Sequence, residues 1–195
     1  MLKDKLQKFF NQESPEKILP LEKNFAEQWN IDLPTNVQES EEDTRFTNAT
    51  IEVMSKETEE SVMNVLADEF LNKPISYVKK NSEHFIYLDS KWFDLIGVDG
   101  ISLEIDDVFG TYEVLFGLRR KKNDRPQLLD YFNSQLGDSP KHSLLFNGED
   151  GLWDVNFSVN GLQGFHEEMT IHELYQAVYI FVFHLHVYLD EAKTV

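Results

Sequence analysis

The C-terminal stretch of the chain carries apolar residues on two sides of one helix. From Ile171 onward, Leu174, Val178, Phe181, Val182, Leu185 and Leu189 recur at the three-and-four spacing of a core-facing stripe. Ile180, Phe183 and Val187 fall on the opposite side. A helix apolar all round has to be covered on both sides, by more of its own chain or by a second copy. The spacing predicts a long buried helix, opened by Thr170 with Glu173 three residues later as a capping box. Ile180, Phe183 and Val187 become candidate contacts for an N-terminal arm or for the partner in a homodimer.

Earlier in the chain the pattern alternates between the two periods. Leu2, Leu6, Phe9 and Phe10 mark a short helix, and Ser14-Pro15 gives a start signal for a second one, carrying Leu21, Phe25 and Trp29. Residues 35–44, rich in Glu, Ser, Asn and Asp, are expected to be a mobile linker. Ala49, Ile51 and Val53 alternate as a strand, and Val62, Leu66 and Phe70 predict a helix ending before Pro74. Phe85 to Leu88 predicts a short strand. Ile101, Leu103 and Ile105, then Tyr112, Val114, Phe116 and Leu118, predict a hairpin closed around Asp107 to Gly110. Pro126 opens a helix with a stop at Gly137, and Leu144 to Phe146 with Trp153, Val155, Phe157 and Val159 predict a second hairpin.

Adjacent hairpins followed by helices predict an α+β fold: a mainly antiparallel sheet of about five to six strands with helices packed on one face and a long apolar C-terminal helix. The expected organisation is a helical N-terminal arm over 1–34 and an α+β domain over 45–195.

Charge narrows the partners. Eighteen basic against thirty-five acidic side chains give a net charge of −17 over 195 residues, which repels nucleic acid and anionic membranes and suits a basic protein partner or cations. The stretch Leu174 to Leu189 is too short for a span of about 20 residues and contains two imidazoles. Cysteine is absent, which excludes disulfides and thiolate metal sites. With no signal peptide at Met1 to Leu6, the expected location is the cytoplasm.

Candidate chemistry is sparse. His166 and His172 are six apart and cannot share one helical face, and Gln176 stands where a partner to His172 would be needed, so no metal site is expected. His184 and His186 point to different sides, within reach of Tyr188 and Asp190 respectively. If the first hairpin closes with a four-residue loop, Glu104 faces Glu113. Two opposed carboxylates need water, a cation or a proton between them, so this pair is the candidate carboxylate site. Arg119, Arg120, Lys121 and Lys122 form the one basic run, a candidate anchor for an acidic contact. No nucleophile elbow, P-loop or dinucleotide fingerprint is present, and no catalytic residue or cofactor is assigned.

Phe25-Ala26-Glu27-Gln28-Trp29-Asn30-Ile31-Asp32-Leu33-Pro34 resembles the opening of SMI1/KNR4-type (SUKH) immunity proteins, where a short helix leads to a Leu-Pro step. That resemblance implies a partner-binding role. Residues Ser90-Lys91-Trp92-Phe93 through Phe109-Gly110-Thr111-Tyr112 are similar to short acidic bacterial proteins labelled branched-chain aminotransferase. Such enzymes differ from this chain in length and architecture, and no lysine here sits in a cofactor-binding context. The expectation is a non-catalytic protein-interaction module of an immunity or regulatory kind, acting through an apolar helix face and an acidic surface. The alternative is a small enzyme or cation-binding protein using the paired carboxylates of hairpin 101–119.

Overall fold

The computed structural model describes residues 1–13, 15–40, 43–136 and 142–192. Two helices come first, α1 (Leu2–Glu13) and α2 (Pro20–Gln28), beside a short parallel pair, β1 (Lys17–Ile18) and β2 (Gln38–Glu39). Then follow β3 (Thr50–Ser55), β4 (Ser61–Val65), the short helices α3 (Ala67–Phe70) and α4 (Ser76–Lys80), β5 (His84–Asp89) and α5 (Lys91–Ile96). The hairpin β6 (Ile101–Ile105) and β7 (Tyr112–Leu118), α6 (Arg125–Gln135), the hairpin β8 (His142–Asn147) and β9 (Leu152–Ser158), and α7 (Ile171–Glu191) complete the chain. The main sheet has seven strands in the order β4-β3-β5-β6-β7-β9-β8, every pair antiparallel, so the fold is α+β.

Strand alternation sorts residues onto two faces. Ile51, Val53, Ile86, Leu88, Ile101, Leu103, Val114, Phe116, Val155 and Phe157 form the inner face and are buried. Helix α7 lies against it. Tyr175 Oη donates to the Ile86 carbonyl at 3.0 Å, and the Phe181 ring meets Phe157 and Phe132 at 5.1 Å each. From α6, Tyr131 Oη donates to the Phe181 carbonyl at 2.9 Å. Each large apolar side chain withdrawn from water here contributes about 1.5–3 kcal/mol. The capping box at Thr170 is present in full: the Glu173 N–H donates to Thr170 Oγ1 at 3.2 Å, and the Thr170 N–H donates to Glu173 Oε2 at 2.7 Å.

The N-terminal helices cover the other side of α7. Phe183 is buried with its ring edge-on to Phe25 of α2 at 5.4 Å, and Phe9 of α1 packs on Trp92 of α5 at 4.7 Å. Residues 1–34 therefore share one hydrophobic core with α7 and the sheet. A buried ionic contact fastens this arrangement. Glu22 of α2 accepts from Arg45 Nε at 3.0 Å and Nη2 at 2.8 Å and from Tyr179 Oη of α7 at 2.8 Å, while the guanidinium stands over the Tyr179 ring at 4.5 Å. Burial pushes the Glu22 carboxyl upward, and Arg45 and Tyr179 oppose that shift.

Several elements differ from the sequence pattern. Val62, Leu66 and Phe70 repeat every four residues, yet Ser61–Val65 is strand β4, with Val65 opposite Ile51. A turn through Glu59, which takes φ 56°, returns the chain along the edge of β3, and ladder pairing overrides the helical spacing. Helix α2 starts at Pro20, not at Pro15, because Lys17–Ile18 is held in extended pairing by Gln38–Glu39. That same pairing ties down part of the expected linker. Ser14, Glu41, Glu42 and the expected helix stop at Gly137 lie outside the described residues. Helix α5 was hidden by its shortness, although Ser90 caps it by accepting from the Trp92 N–H and Gly97 ends it at φ 65°.

Candidate functional site

The outer face of the sheet is built by the alternate residues of the same strands. Glu52, Tyr87, Ser102, Leu115, Asn156 and Ser143 stand opposite one another in a row that crosses six strands. Outward positions are half-buried or exposed, with Glu113 and Ser158 the buried exceptions on β7 and β9. Leu145, 65 % exposed, stands opposite Asp154, so apolar and acidic groups alternate across the face.

Two open cavities lie along this row. One, of about 530 Å³, has Tyr87, Ser102, Leu115 and Asn156 on its floor and Asp99, Asp154 and Leu145 at its edge. The other, of about 480 Å³, lies among Lys56, Phe85, Glu104, Glu113 and the hairpin loop at Asp107 and Val108. Asn156 borders both, and its buried Oδ1 has no hydrogen-bond partner among the described residues. Two glycines make room here. A methyl group at Gly117 would come within 2.5 Å of Asp99 Oδ2, and one at Gly100 within 2.3 Å of Tyr87 Oη. Glycine at these positions lets the Asp99 carboxylate fold onto the sheet, where it accepts from the Gly117 N–H at 2.8 Å. Burial raises the Tyr87 phenol above its ordinary value, with Asp89, Asp99 and Glu52 adding to the shift.

The hairpin closes with Glu104 opposite Glu113. Two like charges so placed repel. Their surroundings answer the repulsion from within the chain: Lys56 Nζ stands 3.7 Å from Glu104 Oε2 and 3.5 Å from Asp107 Oδ2 and donates to the Ile105 carbonyl at 2.7 Å. Thr111 Oγ1 donates to Glu113 Oε1 at 3.2 Å. Among the described residues no group of three or more histidine or carboxylate side chains is placed to hold a metal ion. The loop beyond the pair exposes Val108 and Phe109, held by Asp106 Oδ1 accepting from both of their N–H groups.

The basic run does not act as a unit. Arg119 is exposed and 3.7 Å from Asp94, and Lys121 and Lys122 are exposed, the latter 5.6 Å from the Phe146 ring. Arg120 turns inward: its Nε donates to Asp124 Oδ2 at 3.2 Å, its Nη1 to His186 Nδ1 at 3.0 Å, and it lies 3.5 Å from Asp190 Oδ1. The His186 ring is thus neutral, accepting at Nδ1 and donating from Nε2 to the Ile96 carbonyl, and burial together with Arg120 holds its pKa well below the usual range. Arg120 occupies the place beside His186 that the spacing suggested for Asp190, while Asp190 accepts from the Leu2 N–H. Tyr188 donates to Asp130, not to His184. Of the expected helix contacts, Phe183 is buried inside the chain, whereas Ile180 and Val187 are half-buried against the core.

Sequence reasoning missed Glu22, Arg45 and Tyr179 because their separations of 23 and 157 residues leave no local signal. It missed the outer-face glycines for the same reason. No helix among the described residues is long and apolar enough to cross a membrane. In comparisons with known proteins, no family model, curated protein or solved structure matches the chain.

Proposed function

We propose that this protein is a non-catalytic interaction module that binds a basic protein partner on the outer face of its sheet. The observation that carries the reading is the row from Glu52 to Ser143, where acidic side chains border half-buried apolar ones along two open cavities. A cationic, amphipathic segment complements such a surface: its ammonium groups meet Asp99, Asp154 and Glu104, its apolar groups meet Leu115 and Leu145, and a donor on it satisfies Asn156 Oδ1. Two copies of a chain with net charge −17 repel each other through this face, which favours a different partner over a homodimer. The resemblance of residues 25–34 to SMI1/KNR4-type immunity proteins supports a neutralising role in which occupancy of the partner is the activity.

A labelled peptide of alternating lysine and leucine serves as the probe, with fluorescence anisotropy as the readout. Asp154→Lys combined with Glu52→Lys should weaken binding about tenfold, and raising salt should weaken it further. The equal charge change at Glu16 and Asp68, away from this face, should leave binding within about twofold. Equal losses for both pairs would refute the assignment of the face.

A further inference from the structure

We infer that the cleft between α1, α5 and the end of β7 is a binding site for a small phosphate-type oxyanion, separate from the outer face of the sheet and independent of the function proposed for it. The cleft encloses about 330 Å³. Helix α1 brings Lys5 and Lys8 to it, α5 brings Lys91, and the end of β7 brings Arg119, so four cations converge on a chain of net charge −17. Two carboxylates accompany them and are already engaged: Glu13 accepts from Lys91 at 3.0 Å, and Asp94 stands 3.7 Å from Arg119. Lys5 and Lys8 form no ion pair within 4 Å among the described residues, so the cleft lining sets four cations against two carboxylates, with Asp190 behind it attracting Lys5 from further away.

Lys5 is the centre of the site. It is half-buried, and its amine lies against the backbone of Gly97, where a methyl group would come within 2.5 Å of Nζ. Gly97 is also the left-handed end of α5 at φ 65°, and its carbonyl accepts from the Arg119 N–H at 2.8 Å, so one residue both positions Arg119 and clears the space for Lys5. A half-buried ammonium without a direct hydrogen bond or ion pair is costly, and an anion beside it relieves that cost. Burial first, and then Arg120 and Arg119, bring the Lys5 pKa down to about 8, while Asp190 and Asp94 pull it upward. Lys8, Lys91 and Glu13 border the cleft, and the neutral His186 lies near the group behind it. Lysines supply point charges and arginine a fork, a combination suited to phosphate oxygens. The cleft's size and the acidic surface around it select a small free anion over a polyanion or an anionic membrane.

The test is a titration of the isotope-labelled full chain with inorganic phosphate at low salt, followed by amide chemical shifts. Saturable shifts are expected at Lys5, Lys8, Gly97 and Arg119. Lys5→Gln should weaken binding about tenfold and Lys8→Gln about threefold, while Lys121→Gln, outside the cleft, should change nothing. Affinity should fall between about pH 7 and about pH 9, although phosphate itself gains charge over that interval, because Lys5 loses its proton there. Should Lys5→Gln fail to fold, Lys8→Gln and the pH titration of the unaltered chain decide the matter. Shifts that never saturate, that ignore both lysine variants, or that strengthen with pH would overturn the proposal. So would binding to vesicles of phosphatidylcholine and phosphatidic acid without binding to inorganic phosphate, because that pattern belongs to a lipid surface.

Discussion

The two faces of the seven-stranded sheet use the same strands for opposite ends. On the inner face Ile86, Leu103, Val114 and Phe157 meet α7 and disappear from solvent, and the ionisable groups Glu22 and His186 are paired with Arg45 and Arg120, while the Tyr112 hydroxyl, buried on the same face, has no hydrogen-bond partner among the described residues. On the outer face their sequence neighbours Tyr87, Ser102, Leu115 and Asn156 stay half-buried, two glycines admit Asp99 and Tyr87, and an acceptor on Asn156 is left over. Buried apolar area and satisfied polar groups stabilise a fold; unsatisfied groups beside open apolar surface are what a ligand can complete. The comparison therefore separates residues whose loss unfolds the chain from residues whose loss alters recognition.

The largest expected effects come from breaking the inner layer. Arg45→Met leaves the Glu22 carboxylate buried without its cation and should cost about 3–5 kcal/mol, read from urea unfolding. The double variant Glu22→Leu with Arg45→Met should recover only part of that loss, since it removes the buried Glu22 charge but leaves Asp43, which also pairs with Arg45 at 2.5 Å, without its cation. Phe183→Ala, which opens a hole against Phe25, should likewise cost about 3–5 kcal/mol. A soluble Phe183→Glu chain of unchanged stability would contradict the packing described for α7.

A smaller effect concerns pH. His186 is neutral in the fold and its pKa is depressed below 6.5, so its contribution is fully present above 6.5 and is lost as pH falls below that value, because the unfolded chain takes up the proton first. The slope should reach at most about 1.4 kcal/mol per pH unit. In His186→Gln, unfolding monitored between about pH 4 and about pH 7 should lose that part of the slope. The smallest effect is on the outer face: Glu104→Gln removes one of two opposed carboxylates and should change stability by less than about 1 kcal/mol, with the thermal midpoint as readout.

Strong local periods were legible in the sequence, and distant pairings were not. The alternation at Ile101 to Leu118 yielded the hairpin and its Glu104–Glu113 register, and Thr170 with Glu173 marked the start of α7. The same reasoning failed at Val62 to Phe70, where a helical spacing lies on an edge strand, because pairing with β3 is a tertiary fact. Apolar residues on both sides of α7 implied a cover, and Phe25 of α2 supplies it at Phe183, but no local pattern could say which segment would. Arg120 illustrates the limit within a motif: it belongs to an exposed basic run by sequence and to a buried network with His186 and Asp190 by structure. On the outer face, the carboxylate pair was visible from its register, whereas the cation that answers it, Lys56, comes from 48 residues upstream of Glu104 on another strand's end.

The central claim is that one face holds the molecule together and the other recognises a partner. Amide chemical-shift mapping with the lysine-leucine peptide tests it most directly. The account predicts perturbations grouped on β5 to β9 around Tyr87, Leu115, Leu145 and Asn156, with α1 and α7 unchanged. Perturbations centred on Ile180 and Val187 of α7, with the outer face silent, would contradict it.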